Sequence, residues 1–143
     1  MKVKIKRIDT SIPLPAYQTS GAVAFDLTSR LDITVAPKSL GAIPVNIIVE
    51  IPEGYMLMVA SRSGGPKKKG LFMANGVGII DQDYHGEKDE LILQVYNFTD
   101  QEVSVTKGER IGQAVFVRID KGEWEEVSEM KANSRGGFGS TGA

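Results

Sequence analysis

The chain has 143 residues, 41% of them hydrophobic, which is enough for one packed domain and short for two. With 17 Lys and Arg against 18 Asp and Glu it is nearly neutral, which argues against a polymeric DNA or RNA partner. It has no cysteine and a single histidine, His85, so disulfides, thiolate metal sites and His-rich zinc sites are excluded.

In chain order, the first apolar residues, Val3 and Ile5, alternate with Lys4 and Lys6, the period of a half-buried strand. The same alternation is unlike a signal peptide, which needs an unbroken apolar run after its positive start. Pro13 and Pro15 mark a loop. Leu31, Ile33 and Val35 alternate with Asp32 and Thr34, and Pro37-Lys38 turns the chain. Val45, Ile47, Val49 and Ile51 predict one face of a longer strand. Pro52-Glu53-Gly54 leads into a strand over Tyr55 to Val59. The spacing admits one helical turn, near Lys67 to Gly70, kept short by Gly64, Gly65 and Pro66. Strands follow over Leu91 to Tyr96, at Val103 and Val105, and over Ala114 to Ile119, with turns at Thr99-Asp100 and Lys107-Gly108-Glu109.

Many short strands at regular spacing predict an all-β fold, either a closed barrel or a two-sheet jelly roll. The domain is expected to span 1–132. Residues 133–143, mostly Gly, Ser and Thr, are expected to be a frayed end or an arm that orders on something else. No stretch approaches the length of a bilayer span, so a soluble cytoplasmic protein without a membrane partner is expected.

The polar residues able to do chemistry lie in five short segments between strands. They are Ala24 to Leu27, Ser61 to Gly65, Asn75 to Glu87, Gly108 to Gln113, and Arg135 to Gly142. Arg62-Ser63-Gly64 brings together a guanidinium, a hydroxyl and an unobstructed backbone N–H, a set suited to phosphate. Gly136 to Gly142 offers backbone N–H groups with little bulk, Arg135 adds charge, and Phe138 has a flat face for stacking on a base. Asp81 and Asp83 are carboxylates able to order water or serve a metal. Taken singly, each segment is also an ordinary turn, and Lys67-Lys68-Lys69 reads as a solvated charge run. No P-loop sequence is present.

In combination and in this order, the five segments resemble the five motifs of the trimeric dUTPase family. The strongest match is Gly78-Ile79-Ile80-Asp81-Gln82-Asp83-Tyr84 followed by Gly86, and the next is Gly137 to Gly142. The resemblance implies a homotrimer of jelly-roll-like β-barrels that hydrolyses dUTP to dUMP and pyrophosphate with Mg²⁺. It implies active sites built from all three chains. Asn75 and the backbone of Gly78, Ile79 and Ile80 would read uracil, with Tyr84 under the deoxyribose and Asp81 activating the attacking water. Arg62, Ser63, Gly64 and Gln113 of a second subunit would contact the phosphates. The arm of a third would close the site through Phe138 and Gly139, with Arg135 near the γ-phosphate. Asp26 would sit by the water shell of the metal.

The sequence departs from the family at Ala24, where glycine is usual, at Gly65-Pro66, where leucine often follows Arg-Ser-Gly or Arg-Ser-Ser, and at Gly112, where alanine is usual. Its arm reads Arg-Gly-Gly-Phe where many members read Arg-Gly-x-Gly-Gly-Phe. Two rivals stay open at this point: a dCTP deaminase on the same fold, and a non-catalytic binding module that kept the nucleotide site.

Overall fold

The computed structural model describes residues 1–137. Among these, short antiparallel strands dominate and one helix is present. One sheet has the order β2-β11-β6-β8 (Phe25–Thr28, Arg110–Arg118, Tyr55–Ser61, Val77–Ile80). A second has the order β4-β9-β7 (Leu40–Pro44, Ile92–Asn97, Leu71–Met73). Two-stranded pairs, β1-β5 (Lys4–Arg7, Ile47–Glu50) and β3-β10 (Ile33–Val35, Val103–Val105), close the flanks. The fold is the expected all-β, jelly-roll-like barrel.

The period-two pattern places the core. Leu27, Ile43, Leu57 and Leu93 come from four strands of the two larger sheets and are almost wholly buried between them. Burying a side chain of this size contributes about 1.5–3 kcal/mol. Buried Asn97 ties β9 to the β3–β10 flank: its amide donates to the carbonyls of Val35, Ala36 and Gln101 at 2.7–3.1 Å.

Three local expectations change. Val45, Ile47, Val49 and Ile51 are all buried, but they do not form one strand. The chain breaks at Asn46, in the left-handed region at φ 69°, so β4 ends at Pro44 and β5 begins at Ile47. The helix α1 spans Gly65–Lys69, starting two residues earlier than the sequence suggests. Pro66 does not block it, because a first-turn proline has no N–H to lose and its φ is already helical. Strands β2 and β4 add to the expected set: β2 alternates over only four residues, and in β4 Gly41 and Pro44 interrupt the pattern.

The outward faces of the two larger sheets carry few charges. On β4-β9-β7 the outward residues include Leu40, Ile92, Tyr96 and Phe72, with Phe72 also stacked on Phe98 at 5.8 Å. On the other sheet, Val115, Met58 and Ile79 lie in one row across three strands. No helix among the described residues is long and apolar enough to cross a membrane.

Candidate active site

The phosphate-type segments meet at one end of β6. Arg62 leaves that strand into a turn closed by the Gly65 N–H donating to the Arg62 carbonyl at 2.9 Å, and α1 follows. Asp26 on β2 receives Arg62 Nε on Oδ1 at 2.8 Å and Arg110 Nη1 on Oδ2 at 3.1 Å. Its side chain is only 13% exposed, so both guanidiniums compensate a carboxylate with little access to water.

A β-bulge explains why Arg110 reaches it. Asp26 and Gln113 are partners across β2 and β11, so their side chains share the outer face. Arg110 is three residues before Gln113 and in a regular strand would point the other way. The register shifts between Arg110 and Gly112, leaving Ile111 packed against the core and Arg110 turned outward. At Gly112 the strand runs so close to β9 that a Cβ would lie 2.6 Å from Leu93 Cδ1. Glycine there, in place of the family's alanine, suits this chain's leucine.

Beside the two guanidiniums lies a cleft of about 370 Å³ lined by Arg62, Ser63, Gly64, Lys68, Lys69 and Arg110 among others. The lysine run is therefore not wholly solvated: Lys69 Nζ pairs with Glu109 at 2.8 Å and Lys68 lies along Gly64. The Lys69 and Thr106 contacts pull the Glu109 carboxyl below its ordinary range, although burial opposes them. Gln113 is not on the cleft wall. Its amide donates to the Ser61 carbonyl at 2.9 Å and braces the strand end that carries Arg62. Arg110, within the segment Gly108 to Gln113, has no visible role in the sequence, because the bulge that aims it leaves no periodic signal.

The second set lies along β7 and β8. Asn75-Gly76 forms the turn between them, with Gly76 at φ 73°, a conformation that glycine adopts without strain. β8 is the last strand of its sheet, so one row of its backbone N–H and C=O groups has no partner strand. A flat base with alternating donors and acceptors can pair with such an edge. Gly78 faces Val59, while Ile79 and Asn75 are exposed.

Asp81 follows directly. It lines a cleft of about 300 Å³ with Asp83, Gln82, Met56, Ile119 and Lys121. The Gln82 amide donates to the Tyr55 carbonyl at 2.9 Å, which fixes this loop to the start of β6. The Tyr84 N–H donates to the Asp81 carbonyl at 3.3 Å. Its hydroxyl donates to the Glu90 carbonyl, also at 3.3 Å.

Asn75 lies toward the Arg62 end of β6, since Val77 pairs with Ala60, but Asp81 lies toward the other end. Ile80 pairs with Leu57 near the start of β6, and Arg62 lies beyond its end. At roughly 3.3 Å per residue, Asp81 and Arg62 of one chain are about 20 Å apart. Arg135 is exposed, with the Gly136 N–H donating to Ser134 Oγ at 3.2 Å. Phe138 and Gly139 lie outside the described residues.

The dUTPase family model matches residues 10–142. A deoxyuridine 5'-triphosphate nucleotidohydrolase from Hydrogenobaculum sp. is 41% identical, over 99% of both chains. One from Dictyoglomus turgidum is 38% identical, over 99% of both. Among solved structures, the dUTPase of Staphylococcus bacteriophage 80alpha with dUpNHpp superposes with a TM-score of 0.87 over 99% of both chains at 26% identity. The dUTPase from Streptococcus mutans superposes with 0.77 over 84% of this chain and 98% of its own, at 29% identity. A family match over residues 10–142, with relatives as similar as these, shows that the chain belongs to the dUTPase family.

Proposed function

We propose that this protein is a dUTP diphosphatase that attacks the α-phosphorus of dUTP with water and releases dUMP and pyrophosphate. Its product would supply thymidylate synthesis, and its action would limit uracil in DNA. The observation that carries the site assignment is the division just described. The base-reading edge of β8 runs antiparallel along β6, so that Asp81, which follows it, lies toward one end of β6, while the anion cleft with Arg62 lies at the other. One triphosphate cannot touch Asp81 and Arg62 of the same chain across about 20 Å. Two chains in cyclic arrangement bring one end of each together.

A homotrimer supplies that arrangement. A cyclic ring uses two different, complementary patches on every subunit. The weakly charged outer faces of the two large sheets are candidates for them. A light-scattering mass of three chains is the expected result.

In the assembled site, Asn75 and the backbone of Gly78, Ile79 and Ile80 pair with uracil. Thymine is rejected because its methyl meets the strand, and cytosine because its polar groups would go unpaired. Tyr84 packs under the deoxyribose. Arg62, Ser63 and Gly64 grip the phosphates, with Gln113 behind them. Arg135, Phe138 and Gly139 belong to the arm, read as 133–143, that closes over the nucleotide.

Mg²⁺ fits the donors on hand. The described residues hold no cluster of three or more acidic or histidine side chains placed to cage a metal. Mg²⁺ commonly keeps several waters and takes phosphate oxygens, needing only one or two carboxylates. Asp26 is the candidate carboxylate for its water shell. When bound, the ion neutralises charge on the departing pyrophosphate.

The test is pyrophosphate release from dUTP with Mg²⁺ present. The reading predicts turnover of dUTP and little of dCTP or dTTP; intact dUTP, or comparable turnover of all three, contradicts it. A variant ending at residue 133 is expected to keep its trimer mass and lose turnover, as assayed on the same substrate. Wild-type kcat in that variant would show that the arm is dispensable. We place the protein in the cytoplasm.

A further inference from the structure

Tyr84 lies in the connection between the end of β8 at Ile80 and the start of β9 at Ile92. The residue is 40% exposed, so packing alone does not fix it. Among the described residues its hydroxyl makes one hydrogen bond, to the carbonyl of Glu90. Where the ring lies therefore depends on how firmly Glu90 is held.

Glu90 is held from two sides. Its carboxylate takes Arg30 Nε on Oε1 at 2.8 Å and Arg30 Nη2 on Oε2 at 2.9 Å, a two-point fork. Oε1 also accepts the Asn46 backbone N–H at 2.8 Å. The side chains of Arg30 and Glu90 are only 25% and 13% exposed. Arg30 is itself anchored by its N–H on the Pro44 carbonyl at 2.9 Å. Asn46 bonds the backbone of Asp9 through both ends of its amide. The residue after Glu90, Leu91, is buried, and its N–H donates to the Ile47 carbonyl at 2.9 Å. The carbonyl that carries Tyr84 is thus fastened to the barrel wall.

We propose that the Arg30–Glu90 ion pair is a positioning pair that holds Tyr84 under the sugar and so sets how strongly the site selects deoxyribose over ribose. This rests on the reading of Tyr84 as the residue beneath the sugar. A wall excludes a hydroxyl only if it cannot retreat. Deoxyribose leaves the ring where it is, so dUTP does not sense the support. Ribose must push the ring aside, and the resistance it meets is passed through the Glu90 carbonyl to Arg30.

The test compares kcat/KM for dUTP and UTP in the wild type, Arg30→Met and Glu90→Gln. The expected result is a drop of about tenfold or more in the dUTP-over-UTP ratio in both variants, with dUTP kcat within about threefold of wild type. Arg30→Lys keeps the charge without the fork and falls between. In a Tyr84→Phe background, which lacks the hydroxyl, Arg30→Met is expected to move the ratio no further, because the two changes break one chain of contacts. A parallel fall for both nucleotides would reduce the pair to scaffold, and an unmoved ratio in either folded variant overturns the proposal. If Arg30→Met does not fold, Glu90→Gln and Tyr84→Phe carry the test, and an unchanged ratio there overturns it equally. A wild type that leaves dUTP intact sinks the underlying reading and the proposal together. Normal dUTP selectivity left untouched in the variants sinks the proposal alone.

Discussion

Asp81→Asn is expected to keep nucleotide affinity while losing hydrolysis by about 10²–10⁴-fold, the usual worth of a positioned base. Asparagine has nearly the same shape and can still hold a water by hydrogen bonding. It cannot take the proton as the oxygen attacks phosphorus. The loop itself should persist, because its visible ties use other atoms. Gln82 reaches the Tyr55 carbonyl, and the Tyr84 N–H reaches the Asp81 backbone carbonyl rather than its side chain. Pyrophosphate release gives kcat, and calorimetry with an imido analogue of dUTP gives affinity. A lost affinity would mean that Asp81 binds rather than activates. An unchanged kcat would move the base elsewhere, with Asp83 in the same cleft the first candidate.

Arg62→Ala is expected to lower kcat/KM by about 10²–10³-fold, the cost of removing one donor aimed at developing charge in a sheltered site. The guanidinium is positioned before substrate arrives, because Asp26 holds its Nε at 2.8 Å. That contact leaves its terminal nitrogens free of carboxylate and able to meet a phosphate. Losing Arg62 also leaves Asp26 with Arg110 as its remaining partner, so a smaller loss of stability is expected beside the kinetic one. Arg62→Lys keeps the charge but cannot fork between Asp26 and phosphate, and it should recover only part of the rate. Equal activity in Arg62→Ala and wild type would remove this cleft from the site.

Much of the barrel was legible in the sequence because one face of each longer strand is buried, which imposes period two. Leu31 to Val35 and Leu91 to Tyr96 read directly. Length is not the divide, since the three-residue strands Ile33–Val35 and Val103–Val105 were legible too; Leu40–Pro44 was not, because Gly41 and Pro44 interrupt its pattern. The site residues were legible as types, since oxyanion binding and base reading call for arginine, small residues and free backbone. Their connections were not. Asp26 meets Arg62 and Arg110, and Arg30 meets Glu90, over separations of 36, 84 and 60 residues that only the folded sheets bring together. Arg110 turns outward through a bulge, and a bulge breaks the periodicity that sequence reading relies on.

The central claim is that Asp81 and Arg62 act on one nucleotide from different chains. Asp81→Asn and Arg62→Ala chains, each inactive alone, can be unfolded together and refolded as mixed trimers. Random mixing at equal amounts gives roughly a quarter of the sites an intact Asp81 from one chain and an intact Arg62 from its neighbour in the ring. The account predicts that dUTP hydrolysis returns to about that fraction of wild type. Mixed trimers verified by mass that remain as inactive as their parents would contradict it.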